Sequence, residues 1–226
     1  MRTHKLGCIS PSVVNLPWDL QDALRPGIAA MVTTLNVRNG RPGEFERAVA
    51  TMGASVDVLI DEGAGAIAVF GVPVSARRGF ASERDALRAL TAPRGAVPIV
   101  STLAAVCEAL ADAGVRRPLL VTQYADGVNA QIAQFFADAG LATAGAAGLG
   151  ARDAAAVNAT SPDDYAALAR RALAAHPSAD GVFLSARGNL APVARDLTRE
   201  TGLPAVEQVG AAAWWADRTF RSLATV

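Results

Sequence analysis

AGAIAVFGVPVS (residues 64–75) and ADGVFLSARGNL (residues 179–190) are the two stretches that decide the fold. Each is a short run, apolar at nearly every position, that breaks into a turn containing glycine. A continuous apolar run, without strict alternation, suits a strand covered on both sheet faces by helices. Both stretches also lead into the same sequel: a helical segment, then VPIVSTLAAVCEAL (97–110) after the first and LPAVEQVGAAAWW (203–215) after the second. The chain reads as a four-stranded βα module used twice.

A second regularity supports this. Apolar-periodic stretches end in glycine and a β-type run starts a few residues later: VDVLIDEGAG, AAVCEALADAG, IAQFFADAG and LTRETG. Gly63, Gly114, Gly140 and Gly202 fit the left-handed position that closes a helix. Helix starts are marked by Ser82 with Asp85, by Asp126, and by Ser161-Pro162-Asp163-Asp164. Strands are expected near 5–10, 29–36, 65–71, 97–101, 118–123, 141–146, 181–185 and 204–208. Alternation with helices predicts an α/β fold of two similar Rossmann-like lobes, each a four-stranded parallel sheet flanked by helices, related by a pseudo-twofold. The first lobe would cover 1–113 and regain 209–226, the second would cover 114–208, and a cleft would lie between them.

Composition narrows the partners. Lys and Arg number 21, Asp and Glu 21, and the only lysine is Lys5, so there is no basic block to hold nucleic acid or an anionic membrane. No apolar run reaches transmembrane length, and residues 1–17 lack a signal-peptide core; a soluble cytoplasmic protein is expected, with homo-oligomer formation left open. Cys8 and Cys107 have no metal-type spacing and read as small buried hydrophobes. His4 and His176 read as solvent-facing, and no His/Asp/Glu cluster has zinc spacing. SPSVVNLP after the first strand is neither a dinucleotide fingerprint nor a P-loop, so neither cofactor nor metal is expected.

Ligands of open parallel sheets sit beyond the carboxyl ends of the strands. Those ends gather polar groups from a mostly apolar chain: Ser10 and Asn15, Gly71 and Ser75, Tyr124 with Asn129 on the next helix, Ser185 and Arg187, and Glu207. Hydroxyls, amides and helix-start N–H groups suit a small carboxylate.

At these ends the chain resembles the aspartate/glutamate racemase superfamily, in the branch of arylmalonate decarboxylase and maleate isomerase. VTQYADGVNAQIAQFF (121–136) looks like that branch's strand–Tyr–x–x–x–Val–Asn–helix segment, and AVFGVPVSARRGFA (68–81) its first glycine-containing turn. SADGVFLSARGNL (178–190) is similar to its second-lobe turn, and PSVVN (11–15) to its opening segment. VPIVSTLAAVCEALADAGVRRPLLVT (97–122) reads like its inter-lobe connection.

The resemblance implies cofactor-independent chemistry on a small carboxylic or dicarboxylic acid, through an enediolate-type anion, as a decarboxylase or other lyase, or as an isomerase. It makes Tyr124 the phenol donor and Gly71 the start of an oxyanion turn with Val72. Asn15, Ser10, Ser75, Asn129, Ser185, Ala186 and Gly188 fall around the expected substrate.

The chain departs from the pattern at both cysteines. The second-lobe cysteine falls on Ala186, Arg187 stands where a glycine is usual, and Val72-Pro73 occupy the first-lobe turn, where Pro73 has no N–H to give. A non-cysteine proton donor is therefore required. Arg187 reads either as a carboxylate clamp or as a surface arginine. Glu207 reads either as an acid–base group, if burial raises its pKa, or as an acid paired with an arginine. The alternative for the whole molecule is a carboxylate-binding or regulatory protein that has kept the cleft and lost the chemistry.

Overall fold

The computed structural model describes residues 4–12, 16–37, 42–151, 156, 159–186 and 188–225. The first sheet holds β1 (His4–Ser10), β2 (Ile28–Thr34), β3 (Ala66–Val69) and β4 (Ile99–Ser101), in the order β2-β1-β3-β4. The second holds β5 (Pro118–Tyr124), β6 (Gly145–Ala151), β7 (Gly181–Ser185) and β8 (Ala205–Glu207), in the order β6-β5-β7-β8. Every pairing is parallel. The same order and sense in both sheets confirm the α/β fold and the doubled module expected from the two matched stretches.

Helices connect and cover the strands: α1 (Leu16–Ala23), α2 (Pro42–Asp61), α3 (Val72–Arg78), α4 (Phe80–Thr91) and α5 (Thr102–Asp112) around the first sheet. Then come α6 (Asp126–Asp138), α7 (Pro162–Ala175), α8 (Ala191–Thr201) and α9 (Gln208–Leu223). The glycines at 63, 114, 140 and 202 all have positive φ just past a helix end, where a Cβ would crowd the backbone. Ser161 caps α7 in a reciprocal box with Asp164, whose carboxylate accepts from the Ser161 N–H at 2.8 Å.

Three local expectations are corrected. Asp126 does not cap α6: Ala125 holds that position and Asp126 is the first helical residue. The start marked by Ser82 moves upstream, because Gly79, at φ 82, already turns the chain into α4. The strand expected at 141–146 is β6, and it runs instead over Gly145–Ala151. Glycines 145, 148 and 150 argue against a strand on propensity, but two of them are there for clearance. A Cβ at Gly145 would strike the His176 ring, and one at Gly148 would strike the Tyr124 carbonyl.

One apolar cluster joins the two sheets, drawing Leu6, Val72 and Leu103 from the first half and Leu120, Phe135 and Phe183 from the second. Full burial of side chains this large contributes about 1.5–3 kcal/mol each. The closing helix α9 packs on α5, α1 and β3, carrying Trp215 into this shared core. Arg218 of α9 bonds Asp112 of α5 at 2.6 Å and lies over the Trp214 ring. The histidines are not simply solvent-facing: His4 stacks on Phe220 with ring centroids 4.7 Å apart, and His176 packs over Gly145. No described helix is long and apolar enough to cross a membrane.

Candidate functional site

Parallel strands deliver their carboxyl ends to one edge of each sheet, and the polar residues collect there. In the second sheet, β5 ends at Tyr124, β7 at Ser185 and β8 at Glu207. Thr122 pairs with Ser185 in register, and Leu184 with Glu207, so the three ends lie side by side. Gln208 Nε2 donates to Ser185 Oγ at 3.2 Å and to the Ala186 carbonyl at 3.2 Å. Burial raises the Tyr124 pKa, while Ser185 and Gln123 pull it down.

Asn129 holds Tyr124 in place. Its Oδ1 accepts from Thr122 Oγ1 at 2.6 Å and its Nδ2 donates to the Tyr124 carbonyl at 3.3 Å. The Tyr124 N–H donates to Thr122 Oγ1 at 3.0 Å, and the β5–β6 register shifts between Thr122 and Tyr124. The extra residue of this irregularity is on β6, between Gly148 and Ala151, opposite the end of β5. Asn129 is 3% exposed, with its amide engaged at that end of β5.

Glu207 forms the N-cap of α9. Its two oxygens accept from the Val209 N–H at 2.7 Å and, at close range, from the Gly210 N–H. A Cβ at Gly210 would stand 2.7 Å from the carboxylate, so that glycine makes room for the cap. Among the described residues these backbone groups are its partners; a pairing with Arg187 falls outside them. Burial raises the Glu207 pKa against the pull of the two N–H groups, and Asp19 adds to the rise. The folded midpoint therefore lies above the unfolded one. Stability from this group is complete below the ordinary midpoint of about 4.3 and is lost as pH rises through the raised one. In urea unfolding, the advantage of wild type over Glu207→Gln is expected to be largest at low pH and to shrink as pH rises. An advantage that grows with pH would mean that the cap lowers the pKa instead.

In the first sheet, Ser10 Oγ donates to the Ser12 carbonyl at 2.7 Å. Ser75 Oγ donates to Glu83 Oε1 at 2.9 Å, and Arg78 reaches the other oxygen of that carboxylate at 2.9 Å. Both serines are buried with their hydroxyls engaged by the protein. Gly71, at φ 133, turns β3 into α3 and lies against Pro11. Val72 is buried at the first position of α3, and Pro73 removes the next N–H. Backbone N–H groups are thus what this turn has to offer a ligand.

The two ends are joined directly. Asn189 Nδ2, beside exposed Gly188, donates to Asp19 Oδ1 of α1 at 3.1 Å, and α3 packs against α6. Tyr124, Ser185 and Glu207 thus end three successive strands of one sheet, and α3, which follows Gly71, packs on α6, which follows Tyr124. Asn15 and Arg187 lie outside the described residues. Asp19 and Tyr165, which bonds Gln123 at 3.2 Å, were not anticipated; each lies tens of residues from its partner. Cys8 and Cys107 are buried in the shared core, and burial pushes both thiols far up. Among the described residues no three His, Cys, Asp or Glu side chains are placed to hold a metal ion.

A family model for arylmalonate decarboxylase matches residues 6–224. The arylmalonate decarboxylase of Bordetella bronchiseptica is 28% identical over 217 residues, 96% of this chain and 90% of that protein. A liganded double variant of arylmalonate decarboxylase superposes with a TM-score of 0.86 at 27% identity, covering 96% of this chain and 92% of the other. A Nocardia farcinica maleate cis-trans isomerase bound to TRIS superposes at 0.85 with 19% identity, covering 96% and 92%, a likeness of fold.

Proposed function

Because the chain belongs to the arylmalonate decarboxylase family, we propose that it is a cofactor-independent enzyme of small carboxylic acids, and specifically a decarboxylase of a malonate-type dicarboxylic acid. Its relatives support a decarboxylase or an isomerase; the choice between them rests on the thiol. The observation that carries it is Tyr124 at the end of β5, next to the Ser185–Ala186 end of β7, with both cysteines buried in the core. Bond breaking in a decarboxylation needs a place for negative charge first and a proton second, so a site can lose its thiol and still break the bond.

In this reading the acid lies between the strand ends of the two lobes. One carboxylate faces Tyr124 and the N–H groups of the Gly71–Val72 turn, and Arg187 clamps it. The C–C bond to the other carboxylate breaks and carbon dioxide leaves. The electron pair moves onto the retained carboxylate as an enediolate, which Tyr124 stabilises. The α-carbon then takes a proton from Glu207, one strand away from the Ala186 turn, where burial helps the carboxyl keep it. Water restores that proton. Ser10, Ser75 and Asn129 act as positioning residues behind the turns.

Titrating the protein with malonates, maleate and hydroxy acids, following heat of binding and product together, tests this. Carbon dioxide from a malonate supports it. Binding of malonates without turnover would make the chain a carboxylate-binding protein, the reading favoured by Ala186 and Pro73.

A further inference from the structure

Gln208 is the first residue of α9, and its side chain crosses from the end of β8 to the end of β7. Nε2 donates there to Ser185 Oγ and to the Ala186 carbonyl, each at 3.2 Å. A carbonyl oxygen can only accept, so the second bond fixes which end of the amide is nitrogen and which is oxygen. Rotating the amide would set Oε1 against the Ala186 carbonyl, oxygen to oxygen, and strip the fully buried Ser185 of that donor. Oε1 is therefore held in one direction. Among the described residues nothing donates to it, and the half-buried side chain leaves it open to solvent. Because Oε1 shares its carbon with Nε2, it lies at the same edge of the sheet, beside Ala186.

We propose that Gln208 selects the ligand's substituent: Oε1 accepts from a hydroxyl or ammonium group, so that the malonate-type acid carries a hydrogen-bond donor at its 2-position, as a hydroxymalonate or an aminomalonate does. An aryl or alkyl substituent laid against Oε1 would shut water away from it and return no bond. A carboxylate oxygen or an ether brings only lone pairs and is turned away. That the ligand is a malonate-type acid rests on the function proposed above; the direction of the Gln208 amide and its open acceptor do not.

Hydroxymalonate, methylmalonate and methoxymalonate are close in size and differ in what the substituent can do: donate and accept, neither, or accept alone. For wild type, affinity by calorimetry, or kcat/KM where carbon dioxide is released, is expected to favour hydroxymalonate over the other two by about tenfold, the worth of one hydrogen bond. Gln208→Met keeps the length of the side chain and removes the acceptor, and the three acids should then fall within a few-fold of one another. Hydroxymalonate no better than methylmalonate in wild type, or a preference that persists in natively folded Gln208→Met, overturns the proposal. Methoxymalonate matching hydroxymalonate does so too, since an ether brings no donor. Should Gln208→Met fail to fold, the wild-type series decides alone. Carbon dioxide from all three acids at equal kcat/KM would keep the decarboxylase reading and defeat the role of Gln208. A hydroxymalonate preference without carbon dioxide from any of them would keep that role and defeat the decarboxylase.

Discussion

Tyr124→Phe is expected to lower kcat on a malonate-type acid by about 10²–10³-fold, the usual cost of removing one oxyanion donor. The KM should change little, because the phenol bond strengthens as charge develops on the retained carboxylate. The variant should fold, since the groups that Thr122 and Asn129 hold at residue 124 are its backbone N–H and carbonyl. Steady-state kinetics on both proteins checks this. A kcat within a few-fold of wild type would remove Tyr124 from the chemistry.

Gly148→Ala carries the second large effect, without changing any group at the strand ends. The added Cβ would run into the Tyr124 carbonyl and stand 2.6 Å from Asn129 Nδ2, the two partners of one hydrogen bond. Crowding a packed site of this kind costs about 1–3 kcal/mol, readable as a lower urea midpoint. Relief of the clash must move the Tyr124 backbone, and a misplacement near 1 Å can cost about 10²-fold in rate. Stability and kcat are therefore expected to fall together while the phenol remains. Loss of stability with full activity would mean that this bond does not set the position of the phenol.

The architecture was legible because it rests on repetition. AVFG and VFLS, each leading through a helix to a second apolar strand, specify the same sheet order twice, and tertiary contacts do not alter that. β6 begins later than the stretch expected, and its glycines at 145 and 148 provide clearance for His176 and Tyr124 from other elements, which no local pattern shows. Tyr124 was visible in its motif, and a backbone bond from Asn129 is the plain structural reading of that residue; that its partners are the Tyr124 carbonyl and Thr122 is not announced by any local pattern. Glu207 stood out as an acid at a strand end. Its role as a cap was hidden, because glutamate is a poor N-cap by preference and works here through the space left at Gly210. The bond from Asn189 to Asp19 spans the two halves and leaves no local trace in the sequence.

Carbon dioxide release from a 2-substituted malonic acid, measured for wild type and for the Cys8→Ala/Cys107→Ala double variant, tests the thiol-free site most directly. Release by both at about the same rate is the predicted result. No release by wild type on acids that it binds, or loss of release in a natively folded double variant, would contradict it.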